Sequence, residues 1–333
     1  MNSVKPSILW RITFLFLATL FVLFVTTTVL ASGRSGAVYT VNTTADTNDG
    51  ACTKTHCSLR EAIQAANALE SGSSIIQFKV GNLNPVVIAP TSPLPAITHA
   101  VLLKTNAANT IDVVLDGSAA GEADGLLLLG NAITVQDLTV QNFSGSGVVV
   151  SGSGNIVAGM TLTGNGGSGI VVADGSGNVL RQNQISGNGR IGIDVADDGL
   201  TANDLGDADM GPNGRQNTPT LIRAVPTGAA LEIEGLLNSQ ANSSYTIDFY
   251  ASDSCNEAGF GDGQTWLGST ELTTDENGNG SFMTAVTTTL SDATLTALAT
   301  GADGTSEFSR CIRLGLGNDA WTRAMDLALT PDP

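Results

Sequence analysis

Gly125-Leu-Leu-Leu-Leu129, Gly147-Val-Val-Val150, Gly169-Ile-Val-Val172 and Gly192-Ile-Asp-Val195 repeat one pattern, with their glycines 22, 22 and 23 residues apart. A second register agrees. Asn131, Asn155 and Asn178 each open a short apolar run, and Asn142, Asn165 and Asn188 recur every 23 residues. Between them, Leu138-Thr-Val140, Met160-Thr-Leu162 and Gln184-Ile-Ser186 alternate as strands do. A period near 22 with several short strands and Gly/Asn corners is the signature of a β-solenoid. One coil cannot bury its own inward side chains, so coils stack at about 4.8 Å. Val, Ile and Leu then point inward, and stacked Asn side chains can bond to one another at the bends. Gly and Asn recur because corners need backbone angles that branched side chains resist.

Working back from the repeats, residues 75–78, 86–88, 101–103 and 111–115 read as earlier, less regular coils, with 91–95 as a turn. About six coils would make a rod about 30 Å long. Before them stands Cys57-Ser-Leu-Arg-Glu-Ala-Ile-Gln-Ala-Ala-Asn67, in which Ser58 and Glu61 form an S-x-x-E capping box. Leu59, Ala62, Ile63, Ala66 and Leu69 make one apolar stripe, so a helix is expected, stopping near Ser71 and Gly72. A stacked solenoid has open ends with unpaired edges, and this helix is the expected plug of the first.

Working forward, residues 194–213 hold Asp194, Asp197, Asp198, Asp204, Asp207 and Asp209 with no Lys or Arg. They read as a cap or linker. After Pro219 come seven short runs, at 221–225, 231–236, 245–251, 266–272, 281–287, 294–300 and 307–312. Seven strands in so short a span predict a β-sandwich of immunoglobulin or fibronectin type. The expected organisation is an export segment (1–31), a capped parallel β-helix (36–205), an acidic linker (206–217), a sandwich (218–314) and a tail (315–333).

Composition narrows the function. The chain has 333 residues, 42% apolar, with a formal charge of −17. That field repels phosphate backbones, which argues against nucleic acid, and it attracts divalent cations. The four cysteines, Cys52, Cys57, Cys255 and Cys311, fall into two local pairs without metal-type spacing, so the disulfides Cys52–Cys57 and Cys255–Cys311 are expected. Residues 12–30 carry no charge, after Lys5 and Arg11, and Val29-Leu-Ala31 offers a small-residue cleavage site. Cleaved or retained as a membrane anchor, this segment puts the rest outside the cytoplasm, as a secreted or cell-surface monomer.

Val41-Asn-Thr-Thr-Ala-Asp-Thr-Asn-Asp-Gly50, Cys52 and Cys57-Ser-Leu-Arg-Glu-Ala-Ile63 together resemble the N-terminal CSLREA domain of exported right-handed β-helix proteins. The resemblance continues at Asn203-Asp-Leu-Gly-Asp-Ala-Asp-Met-Gly-Pro-Asn213, Gln216-Asn217 and Ser252-Asp-Ser-Cys255. It implies architecture and export, and brings no established activity.

Three places are candidates for chemistry. Asp204, Asp207, Asp209 and Asn213, with Asn203, alternate with small residues and suit oxygen ligation of Ca²⁺; the alternative is an acidic, solvated turn. Asp174 and Asp197 are one repeat apart, so they are expected on neighbouring coils near Arg181 and Arg190. Carboxylates about 5 Å apart suit a retaining glycosidase, although both residues also read as exposed turn formers. A lyase-type site would need a base from Lys79, Lys104, Arg181 or Arg190. His56 and His99 look isolated from any acid, and no nucleophile elbow, phosphate loop or zinc ligand set appears. The expectation is therefore a non-catalytic surface or matrix β-helix for display, adhesion or carbohydrate binding, whose partner is a polysaccharide or surface protein. The competing expectation, by fold analogy alone, is a polysaccharide lyase or glycoside hydrolase on a pectin-lyase-like fold.

Overall fold

The repeats wind into a solenoid of three parallel sheets in the computed structural model, which describes residues 36–105, 111–288, 290 and 293–315. The expected export segment and the tail beyond Gly315 lie outside these residues. The first sheet stacks Ala37–Val41, Ser74–Phe78, Val101–Lys104, Thr134–Gln136, Ile156–Ala158 and Val179–Arg181. The second stacks Val86–Ile88, Val113–Asp116, Leu138–Gln141, Thr161–Thr163 and Gln184–Ser186. Leu126–Leu128, Val148–Ser151, Ile170–Asp174 and Ile193–Val195 make the third. Ile156 lies beside Thr134 and Val179, and Ile170 beside Val148 and Ile193, so neighbours are one sequence repeat apart. Four coils complete all three faces, and in the coil before them the third face shrinks to the bridge between Ile97 and Leu128. The result is about five turns rather than six.

The glycine column has a cause the sequence did not show. Gly125, Gly147 and Gly169 do not adopt positive φ. A Cβ at Gly125 would sit 2.3 Å from the Gly147 carbonyl oxygen, and one at Gly147 would sit 2.8 Å from that of Gly169. Close stacking of backbone on backbone, rather than turn geometry, excludes side chains here. The asparagine ladders do form. The Ile133 N–H donates to Asn155 Oδ1 (2.8 Å) and the Asn155 N–H to Asn178 Oδ1 (3.0 Å). In the second ladder Asn142 is exposed and Phe143 takes the inner corner, its N–H donating to Asn165 Oδ1 at 3.1 Å. Asn165 donates onward to Asn188 Oδ1 through Nδ2 at 3.0 Å.

The expected helix spans Leu59–Asn67, with both halves of the Ser58/Glu61 capping box formed. It ends short of Ser71 because Asn67 is drawn into the first coil, donating to the Ala96 carbonyl (2.6 Å) and accepting from the Thr98 N–H (2.9 Å). Leu59, Ala62, Ile63 and Ala66 are buried against Val41, Ile76 and Phe78, closing that end of the core. Arg60 braces the helix through Asp46 (2.9 and 2.8 Å) and the Pro93 carbonyl (2.8 Å). Both expected disulfides are present.

Beyond Pro219, Thr220–Thr227, Ala230–Asn238 and Asn279–Thr287 form one antiparallel sheet. Thr265–Thr273, Ser244–Ser252 and Thr294–Gly301 form the other, extended by Gly304–Thr305 and Ile312–Arg313. Between the sheets lie Ile233, Phe249, Phe282 and Leu295. The fold is thus all-β, a parallel β-helix followed by an antiparallel sandwich. The seventh expected strand is a correction: only Ile312 of residues 307–312 lies in a strand. The segment instead runs beneath the solenoid. Phe308 joins the β-helix core and meets Tyr250 edge-on, with ring centroids 5.2 Å apart.

The sandwich therefore plugs the second open end, with one hydrogen bond taken from each face of the last coil. The Leu180 N–H donates to Thr305 Oγ1 (2.9 Å), the Ile185 N–H to the Gly263 carbonyl (3.0 Å) and the Val195 N–H to Glu307 Oε1 (2.8 Å). Edge donors that would otherwise stay unpaired or recruit another strand are satisfied internally.

Candidate functional site

The acidic loop after the last coil converges in part. Carboxylate oxygens of Asp204, Asp207 and Asp209 all lie within 4.8 Å of one another. Asp204 accepts from the Ala208 and Asp209 N–H groups, and Asp207 from the Asn217 N–H (2.9 Å) and Ser239 Oγ (2.5 Å). Asp209 Oδ1 is buried with no hydrogen-bond partner. Burial pushes the Asp207 and Asp209 carboxyls above their usual range, and the neighbouring acid charges add to this. Asn213 does not belong to this group. Its Oδ1 accepts from the Asn178 N–H (3.0 Å), and its Nδ2 donates to the Asn178 and Thr305 carbonyls (2.9 and 3.0 Å). It is one more rung of the asparagine ladder, supplied from outside the repeats. Asn203 is likewise engaged elsewhere, with Thr218.

In the second candidate set, Val172 pairs with Val195, so Asp174 and Asp197 follow on neighbouring coils as expected, but their partners differ. Asp174 is exposed, and its Oδ1 accepts from the Gly175 N–H. Asp197, also exposed, pairs with Arg190 Nη1 at 2.6 Å, and Arg190 reaches Asp194 at 3.0 Å as well. Arg181 faces neither. Its Nε donates to Asp248 Oδ2 at 2.5 Å and its Nη2 to Asp248 Oδ1 at 3.1 Å. Asp248 is fully buried and also accepts from Trp266 Nε1 at 3.0 Å. The three candidate residues are thus engaged separately, Asp174 in a turn, Asp197 in a surface ion pair and Arg181 at the sandwich seam.

Sequence reasoning missed Asp248 and Glu307. Glu307 is 2% exposed and accepts from the Val195 and Thr201 N–H groups, each at 2.8 Å. Burial pushes its carboxyl up to about 7, and the Asp194 charge contributes. No local pattern marked Glu307, which stands in the largely polar run Thr305-Ser-Glu-Phe-Ser-Arg310.

The outer side of the second sheet carries a polar row in strict register: Asp116, Gln141, Thr163 and Ser186, one per coil. Gln141 Nε2 and Asn142 Nδ2 both donate to Asp116 Oδ2, at 2.9 and 3.2 Å. Burial would raise the Asp116 carboxyl, but these bonds and the Ser118 N–H hold it below its usual range, so it stays ionised. At the corner that follows, Glu122, Ala123, Asp124, Ser144 and Gly145 line an open recess of about 410 Å³.

Residues 99–205 match the family model described as a right-handed beta helix region. No curated protein matches the chain. Among solved structures, the chain is similar to the enzymatically active domain of tailspike protein 2 from bacteriophage CBA120, at 11% identity with a TM-score of 0.14. The likeness covers 72% of this chain and 55% of that one.

Proposed function

We propose that this protein is an exported, non-catalytic β-helix that holds a polysaccharide along the outer side of its second sheet. The observation that carries the reading is the polar row of Asp116, Gln141, Thr163 and Ser186 leading to the recess at Glu122–Asp124. One polar side chain per coil repeats at about 4.8 Å, a spacing that matches successive hydroxyl-bearing units of an extended chain. Asp116, Glu122 and Asp124 make the surface acidic, which favours a neutral or amino-sugar polymer over a polyuronate. Two disulfides support an oxidising, extracytoplasmic setting. The commitment of Arg181 to Asp248 and of Asp197 to Arg190 supports binding without cleavage. A calcium ion held by Asp204, Asp207 and Asp209 belongs to the same proposal, as a brace on the acidic loop. The clustered carboxylates and the unpartnered Asp209 Oδ1 support it.

Affinity electrophoresis through gels containing neutral, amino-sugar or uronate polymers tests the proposal. Retardation by one of the first two classes is expected. It should fall about ten-fold in a Gln141→Ala/Thr163→Ala variant, which removes two adjacent rungs. Equal retardation of that variant, or retardation only by uronates, would count against the reading.

A further inference from the structure

His56 lies within the short loop closed by the Cys52–Cys57 disulfide. The sequence offered it no acid at a recognisable spacing; the fold supplies two. Its Nδ1 is 3.3 Å from Asp49 Oδ2 and 3.6 Å from Glu61 Oε2. Ligand atoms of all three residues lie within 4.8 Å of one another. Nδ1 is buried and makes no hydrogen bond, whereas Nε2 sits 3.1 Å from Thr47 Oγ1. We propose that Asp49, His56 and Glu61 form a site for a borderline divalent cation, Zn²⁺ fitting best, with the fourth position open to solvent.

The donor set favours zinc over calcium, because an imidazole nitrogen with only two carboxylates suits a tetrahedral ion and falls short of the six to eight oxygens calcium takes. Zinc bonds of about 2.0–2.1 Å imply edges of roughly 3.4 Å between tetrahedral ligands. The two separations from Nδ1 bracket that value. Thr47 can accept the proton of Nε2, which leaves the Nδ1 lone pair facing the carboxylates, the arrangement found around metal-bound histidines. The site is also held in place before any ion arrives. Glu61 is fixed by the Asp49 and Ser58 N–H groups, both at 2.8 Å, and the loop is closed by Thr53 N–H to His56 carbonyl at 2.7 Å. Asp49 and His56 remain reachable, with side chains 62% and 36% exposed. An ion here would tie the disulfide loop to the start of the helix that caps the solenoid.

The full chain, stripped with EDTA and dialysed, is titrated calorimetrically with zinc sulfate beside His56→Ala and Asp49→Asn. The melting transition of each variant is recorded to show that it remains folded. The expected result is one tight site per chain, weakened at least about ten-fold in either variant and retained in Asp207→Ala. Long-range ¹H–¹⁵N spectra should show His56 Nδ1 shifting on zinc addition while His99, the one other histidine, does not. Equal binding by wild type and His56→Ala overturns the site. Absence of binding by wild type does so too.

Discussion

Arg181, on the last coil of the solenoid, grips Asp248, in the middle of the sandwich, through two hydrogen bonds of 2.5 and 3.1 Å. The Asp248 carboxylate is fully buried, and Trp266 Nε1 is a further donor to it. Losing one partner leaves the other charged in a dry seam, so Arg181→Met is expected to cost about 3–5 kcal/mol. The double replacement Arg181→Met/Asp248→Leu should cost less than that single change. Urea unfolding of the three proteins measures the difference.

Glu307 makes stability depend on pH in the direction opposite to that of a surface carboxylate. Its carboxyl is raised from an ordinary 4.5 to about 7 in the folded protein, chiefly by burial. The folded chain therefore binds this proton more tightly than the unfolded one. The contribution is fully present below pH 4.5 and is lost as pH rises through about 7. A shift of that size corresponds to about 3 kcal/mol. Glu307→Gln should flatten this part of the stability curve, measured by denaturant midpoints from pH 4.5 to 8.

Asn213 terminates the asparagine ladder from outside the repeats. Asn213→Ala would strand the Asn178 N–H and the Thr305 carbonyl at buried positions, while the Asn178 carbonyl keeps the Thr305 N–H at 3.0 Å. A loss of about 2–4 kcal/mol is expected. Asn131→Ala, at an exposed corner beside this column where Asn131 Oδ1 accepts from the Ser153 N–H, should stay within about 1 kcal/mol of wild type. Chemical denaturation of the two variants compares a buried rung with an exposed corner asparagine directly.

The solenoid was legible because its repeat is a property of adjacent residues: the glycine spacing alone placed Ile156 between Thr134 and Val179. The plug helix was legible for the same reason, since Ser58 and Glu61 are three residues apart. The seam was not. Arg181 and Asp248 are separated by 67 residues, and Glu307 and Val195 by 112, and no local pattern encodes such meetings. Asn213 was misread because its neighbours Asp207 and Asp209 suggested a ligand loop, whereas its partners are ladder groups at Asn178. His56 was overlooked because the disulfide loop, rather than a sequence interval, brings it to Glu61.

If calcium braces the acidic loop, the melting temperature of the chain should rise by several degrees between EGTA and millimolar Ca²⁺. An Asp207→Ala/Asp209→Ala variant should show no such rise. Scanning calorimetry of both proteins in the two buffers reads the difference, and an equal response in the two would remove calcium from the account.

The most direct test of the proposed function is to incubate the protein with the polymer that retards it and to follow bound fraction and polymer length together. The account predicts a retained complex, polymer of unchanged length, and no new reducing or unsaturated ends. Shortened chains, abolished by Asp174→Asn or Asp197→Asn, would contradict it and make the solenoid an enzyme.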